Sequence, residues 1–278
     1  MRKPAESIKP IQPYVALDTH DYQKIVKNQY GISHIYLFNA SPETKRQLLA
    51  VPDGSVDLLF GLGPEGMHSF IGGTVFQAKP WELSEEDTYF GARFYPGACR
   101  LPSNLKIDDV VNADVEISAE KKIRQLGDLL ISAEGLEDRA DIFLNYYFKM
   151  TEGMGPSGSV HKLETYLRNR IYQTGGQISI KELSQETAYS APYLRRIFNK
   201  VHGVSPKVFE KFVRFQNVLD YLTYGIDKDP MKLDQIAVRF GYYDQPHMIK
   251  EFKQYTGKTP EQYLKEISGT QIKNLSHD

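Results

Sequence analysis

The chain has 278 residues, with 34 Lys and Arg set against 35 Asp and Glu for a net charge of −1. That length suits two domains, and without an apolar run of about 18 residues or a signal-like leader the expectation is a cytoplasmic protein with no membrane partner. A lone Cys99 excludes an internal disulfide and reads as a small buried apolar side chain rather than a redox sensor.

In chain order, the first 150 residues carry short runs rich in Ile, Val, Phe and Tyr: Ile32 to Phe38, Val56 to Phe60, Ser69 to Phe76 and Thr88 to Phe94. They are separated by the turn-formers Pro52-Asp53-Gly54, Gly61-Leu62-Gly63-Pro64 and Gly72-Gly73. This spacing predicts an antiparallel β barrel or sandwich. Ser118 to Ile131 and Leu136 to Tyr147 then read as helices, with Ile123, Leu126, Leu129 and Leu130 on one face and Phe143, Leu144 and Tyr147 on another. Ile123, Leu126, Leu130 and the Phe143 to Phe148 helix either pair two copies of the chain as a homodimer or cap the open end of the barrel.

The chain as a whole offers no catalytic set. His20, His34, His68, His161, His202, His247 and His277 include no His-x-His pair, and no Cys or Glu completes a ligand spacing, so no metal site is expected. A nucleophile elbow, a phosphate loop and a dinucleotide fingerprint are absent as well, which predicts a non-enzyme with no cofactor. A small-molecule effector would be oriented by His34, Tyr36, Trp81, Arg93 and Tyr95, each of which joins an apolar body to a polar tip or charge. The competing reading makes those aromatics core residues and Arg93 the partner of a nearby carboxylate.

Residues 151–159, Thr-Glu-Gly-Met-Gly-Pro-Ser-Gly-Ser, predict a linker between a first domain at 1–150 and a second at 160–268, with a tail at 269–278. Val160, Leu163, Tyr166, Leu167 and Ile171 lie on a lead-in helix. After it, one helical layout occurs twice with an offset of 54: Ser190, Leu194, Phe198, Gly203 and Pro206 fall opposite Asp244, Met248, Phe252, Gly257 and Pro260. In the first copy Ser179 and Glu182 form a capping box, and Ser190 caps a second helix with Leu194, Ile197, Phe198 and Val201 inward. Pro192, Arg195 and Arg196 are left outside. Gly203 ends that helix, and Ser205-Pro206 begins a long one striped by Phe209, Phe212, Phe215, Leu219 and Leu222. In the second copy Asp244 caps a helix with Met248, Ile249 and Phe252 inward, leaving Gln245, His247 and Lys250 outward.

Those residues carry a resemblance. Ile236-Ala237, Gly241-Tyr242-Tyr243-Asp244-Gln245-Pro246-His247, Phe252-Lys253, Gly257 and Thr259-Pro260 resemble the signature of AraC/XylS-type transcriptional regulators, and Tyr193 to Phe198 with Arg214, Leu219 and Leu222 agree with it. Departures are Ser184 where Ala is common, Ala188 in a turn where Gly is frequent, and Val218 in place of a small residue. The resemblance implies an all-α domain of two helix-turn-helix subdomains joined by one rigid helix, with recognition helices entering adjacent major grooves of promoter DNA. It also implies that Pro192, Arg195, Arg196, Gln245, His247 and Lys250 approach base edges or phosphates, and that the protein recruits RNA polymerase, usually as an activator.

Val51 to Phe60 and Phe90 to Gly97 similarly resemble an uncharacterised sensor domain often placed ahead of AraC-type modules, which implies a cupin-like barrel and no particular ligand. The overall expectation is α+β. Charge supports the division, since residues 157–278 hold 18 Lys and Arg against 13 Asp and Glu while residues 1–156 hold 16 against 22. The first domain is read as the controller of the second, either through an effector or by binding a protein partner or only dimerising.

Overall fold

The computed structural model describes residues 11–40, 48–64, 66–81, 83–84, 86–102, 104–152 and 158–268. The centre of the expected linker and the tail at 269–278 lie outside the described residues. A short helix α1 (Pro13–Asp18) opens the described chain, followed by strands β1 (His20–Val26), β2 (Ile32–Asn39), β3 (Leu49–Ala50), β4 (Val56–Gly63), β5 (Gly66–Gly72), β6 (Lys79–Pro80) and β7 (Thr88–Phe94). One helical turn, α2 (Ile107–Val110), and β8 (Asp114–Glu116) come before the helices α3 (Lys121–Ile131) and α4 (Gly135–Thr151).

Six of the strands form one antiparallel sheet in the order β1-β2-β7-β4-β5-β8, and β3 pairs with β6 as a separate ribbon. The edge strands of the six-stranded sheet, β1 and β8, are not paired with each other, so the sheet is open and the architecture is sandwich-like rather than a closed barrel. Register places Ile35, Ala92, Leu58 and Ile71 on one rung and Leu37, Phe90 and Phe60 on another, all buried on one face. Against this face α3 and α4 lay Ile123, Leu126, Leu130, Phe143, Leu144 and Tyr147. Those side chains are therefore buried inside the chain's own core, where they cover the sheet.

The opposite face is smaller and more polar. Tyr36, Phe38, Leu59 and Tyr89 pack there with Val15 of α1, Leu48 and the half-buried Trp81 and Leu83. On the neighbouring rung His34, Arg93, Asp57 and Gly72 stand in cross-strand register. Because both faces are covered, β4 is almost wholly buried, which explains why, Asp57 apart, its residues do not alternate between apolar and polar.

The helical half comprises α5 (Ser159–Gln173), α6 (Ile180–Thr187), α7 (Ala191–His202), α8 (Pro206–Asp220), a π-helical turn at Tyr221–Gly225, then α9 (Leu233–Arg239), α10 (Gln245–Thr256) and α11 (Pro260–Ile267). Its core forms around α8, whose Phe209, Phe212, Phe215 and Leu219 meet Phe198 of α7, Phe252 of α10 and Tyr263 of α11. The lead-in helix α5 is pinned under α7 by Glu164, which is buried between His202 (2.9 Å) and Arg168 (2.9 Å). Burial alone would push the Glu164 acid up, but those two partners hold it down at about 2.

The core of the helical half does not stop at the expected boundary. Ile11, Tyr14 and Val51 from the sheet-bearing half are buried within the same cluster. Tyr14 meets the Tyr263 ring edge-on at 6.1 Å, with the Lys258 ammonium 5.0 Å from its centroid. Gln216 of α8, only 2% exposed, accepts the Ile11 amide at 3.0 Å and donates to the Pro52 carbonyl at 2.8 Å. Gly54, at φ +81°, lies so close to Phe209 that an added Cβ would stand 2.7 Å from the ring. Two halves thus share one seam, centred on α8.

Candidate nucleic-acid interface

Each helix-turn-helix unit is held by local chemistry that the sequence encodes. In the first, Ser179 accepts from the Glu182 amide (3.2 Å) while Glu182 accepts from the Ser179 amide (2.8 Å), satisfying two orphan donors at the start of α6. The turn after α6 runs through Ala188 in the left-handed region at φ 58°, a conformation costly for a residue with a Cβ. Ser184, where Ala is common in the resembled family, donates its hydroxyl to the Tyr189 carbonyl and so ties this turn to α6. Ser190 stands at the N-cap of α7 but makes no side-chain cap bond, contrary to the expectation from sequence; its backbone alone starts the helix. In the second unit Asp244 does cap α10, accepting from the His247 amide at 2.8 Å.

The inner faces of the two recognition helices are filled. Leu194, Ile197 and Phe198 of α7 and Met248 and Phe252 of α10 are buried. Outward, the structure places Pro192, Arg195 and Arg196 on α7, and His247 and Lys250 on α10, all exposed, with Gln245 half-buried at the first turn. Arg196 lies over the Tyr193 ring at 5.2 Å, and Tyr193 stacks on Tyr189 at 5.1 Å, so this guanidinium is braced rather than free to wander. His247 meets Tyr242 edge-on at 5.6 Å, which orients its ring from behind.

Reading by outward polar residues alone misses two neighbours. Tyr189 and Tyr243 occupy the same place in the two copies, one residue before the N-cap, and both are exposed, Tyr243 to 92%. The repeat offset applied to the exposed aromatics would have found them. Arg214 of α8 is a second omission: it donates to the Gly176 carbonyl at 2.6 Å beside the first unit and lies 5.7 Å over the Tyr242 ring of the second. One side chain on the connector therefore touches both units and helps fix their mutual orientation.

The residues expected around a ligand separate into two sets. His34, Tyr36 and Arg93 share the polar face of the sheet; Trp81 approaches that face from the ribbon, while Tyr95 lies apart and donates to Asn28 at 3.0 Å. Arg93 is buried and bonded to both Asp53 and Asp57, as the competing reading expected of it. Tyr36 reaches Asp57 at 3.2 Å because Gly91, its cross-strand neighbour, has no side chain: a Cβ there would come within 2.2 Å of the phenol ring. Burial, followed by the charges of Arg93 and Lys24, holds the His34 imidazole well below the usual histidine range.

Two tri-helical units strung on one connecting helix, each presenting a capped helix with a filled inner face and a polar outer one, define a bipartite helix-turn-helix module. Residues 183–266 match the model of a helix-turn-helix domain, and this stretch is an AraC-type helix-turn-helix domain. An uncharacterized HTH-type transcriptional regulator of Haemophilus influenzae is 29% identical over 107 residues, which is 38% of this chain and 35% of that protein. The Msm operon regulatory protein of Streptococcus mutans is 27% identical over 95 residues, 34% of this chain and 33% of that protein. The chain thus spans about a third of the length of these curated relatives. Among solved structures, ToxT from Vibrio cholerae is 12% identical, covering 89% of this chain and 99% of that one at a TM-score of 0.41. The C-terminal domain of AraT, a response regulator from Geobacillus stearothermophilus, is 21% identical, covering 39% of this chain and 85% of that one at 0.33. Among the described residues no helix is long and apolar enough to cross a membrane.

Proposed function

We propose that the chain is a sequence-specific DNA-binding transcriptional regulator of the cytoplasm whose helical half reads promoter DNA and whose sheet-bearing half controls it. The observation that carries this reading is the repetition itself: two recognition helices with filled inner faces and polar outer faces, fixed to one connector. The surplus of basic residues in the same half supports phosphate contacts. In this reading Arg195 or Arg196 and Gln245 read bases, Lys250 holds a phosphate, Pro192 sets the first turn of α7 against the backbone, and His247 contacts DNA from its Tyr242 brace. The recognition helices enter successive major grooves ~34 Å apart, so one chain covers two turns of one duplex face.

Control then passes through the seam on α8, where Gln216, Phe209 and their neighbours from the sheet-bearing half meet. A small-molecule effector acting on that half, activation through RNA polymerase, and the organisation into 1–150, 151–159, 160–268 and 269–278 belong to the same proposal. Footprinting on the DNA flanking the protein's own gene tests it. Protection of two adjacent major-groove segments on one face of the helix is expected; binding with no sequence preference at physiological salt overturns it.

A second reading, control by a protein partner or by pairing without any effector, draws support from Leu129 and Ile131 of α3 and from Phe148, whose ring lies tilted against Tyr30 at 5.2 Å; all four are exposed. Size-exclusion chromatography with light scattering distinguishes a paired chain from a monomer.

A further inference from the structure

Between the polar face of the sheet and the ribbon is a cavity of about 410 Å³, bounded by Asp57, Leu59, Phe70, Trp81, Lys79 and Asp114. Its size falls within the range of small-ligand pockets, roughly 300 to 1,000 Å³. Leu59, Phe70 and Trp81 make an apolar wall with two aromatic rings, and Asp57, buried, supplies a carboxylate.

The charge balance around that carboxylate is incomplete. Arg93 bonds both Asp57 and Asp53, so two buried carboxylates share a single guanidinium. Tyr36 adds a hydrogen bond to Asp57 but no charge. At the rim Lys79 and Asp114 pair at 2.6 Å and cancel. The two buried carboxylates behind the cavity therefore hold one guanidinium between them, and an under-compensated buried carboxylate is costly. Burial, only partly offset by Arg93, pushes the Asp57 acid up to about 6.

We propose that this cavity binds a small organic monocation, a protonated amine with an apolar or aromatic body, its ammonium against Asp57 and its body against Trp81, Leu59 and Phe70. Ammonium against carboxylate is a charge-assisted hydrogen bond, and an indole face adds cation–π attraction. The inference gives the effector of the proposed regulator a chemical class and a place; occupancy itself does not depend on DNA. The bound cation would be linked to the seam by a relay of side chains, since Asp57 is joined through Arg93 to Asp53, and Asp53 through the Gln12 amide at 2.9 Å to the segment that Gln216 grips.

Isothermal titration of the full chain with 2-phenylethylamine, 2-phenylethanol and phenylacetate, probes of one shape and three charges, tests this. The amine is expected to bind one per chain and at least about tenfold tighter than the alcohol, with phenylacetate weakest. Asp57→Asn should erase the preference for amine over alcohol. Because that variant touches the buried triad, Lys79→Ala at the rim serves as a second: losing a competing positive charge, it should bind the amine several-fold tighter. Equal binding of the three probes, preference for the acid, or no binding of any probe overturns the proposal. A gel shift on the same preparation separates the two readings: DNA binding without amine binding sinks the cation site alone, and amine binding without DNA binding sinks the regulator alone.

Discussion

Arg196, Gln245 and Lys250 stand on helices whose inner faces are already filled, and Tyr243 is exposed in the turn before α10, so removing any one of them probes a contact rather than the fold. Arg196→Ala and Gln245→Ala should each lose ~1 to 3 kcal/mol of discrimination at particular base pairs, measured by competition between single-base variants of the site. Lys250→Ala should weaken specific and nonspecific DNA alike and flatten the salt slope by about one. Tyr243→Ala is expected to behave like Lys250→Ala in affinity but leave the salt slope unchanged, because a phenol releases no counter-ion. Equal losses on every sequence for all four would end that division of labour. A different side chain reports on pH. Glu210 is buried with Oε1 lacking a hydrogen-bond partner, and burial pushes its acid up from 4.5 to about 7 against the pull of Arg214 and Lys207. The folded chain therefore holds this proton more tightly than the unfolded one, and stability should fall as pH climbs from about 4.5 to about 7, then level off. Glu210→Gln should remove that slope and stabilise the protein at pH 8 by ~1 to 3 kcal/mol in urea denaturation. Outward residues on α7 and α10 were legible because helical phase alone separates inside from outside. The Arg93 triad was not: Asp57 and Asp53 lie 36 and 40 residues away, and only the sheet register and the loop before β4 bring them together.

At the scale of elements, caps and breaks carried most of the legible signal. Ser179 with Glu182, Asp244, Thr259 and the glycines at 203 and 257 mark helix ends in the sequence and do so in the structure, because a cap is a local bond between residues three apart. The buried strands β2, β4 and β7 were legible from their apolar runs. By contrast β1, His-Asp-Tyr-Gln-Lys-Ile-Val, is an edge strand with only one long side to pair, so its composition has no apolar run to read. The ribbon of β3 and β6, two residues each, is set by tertiary contact and leaves no local pattern at all. The turn after α6 is built against propensity, since Ala188 holds φ 58° where Gly would be unstrained, as Tyr30 does at φ 54° after β1. Ala188→Gly should relieve about 1 kcal/mol and raise the melting temperature by a few degrees, with DNA affinity unchanged. An unchanged or lower melting temperature would mean that the turn is not strained.

For the whole molecule, the sequence indicated two halves and a poorly packing stretch between them, which is a statement about composition. What composition cannot reveal is that Ile11, Tyr14 and Val51 complete the core of the other half, because that depends on where α1 and the loop before β4 come to rest. Shared burial makes the halves one cooperative unit, so calorimetry of the intact chain should give a single unfolding peak. Gly54→Val, which drives a side chain into the Phe209 ring and demands a positive φ of a β-branched residue, should split that peak in two. Two peaks already present in the unaltered chain would mean that the seam is too weak to couple anything.

The borrowed core residues also set a rule for anyone wishing to transplant the reading head. A fragment begun at Ser159 would leave a bare socket on α8 and α11 where the ring of Tyr14 and the side chains of Ile11 and Val51 now sit. Such a scar is sticky, and the excised piece would clump or need detergent to stay dispersed. Grafts onto foreign controllers will hold their shape only if the socket is refilled, whether by carrying the opening helix along or by trading the exposed lining for polar side chains.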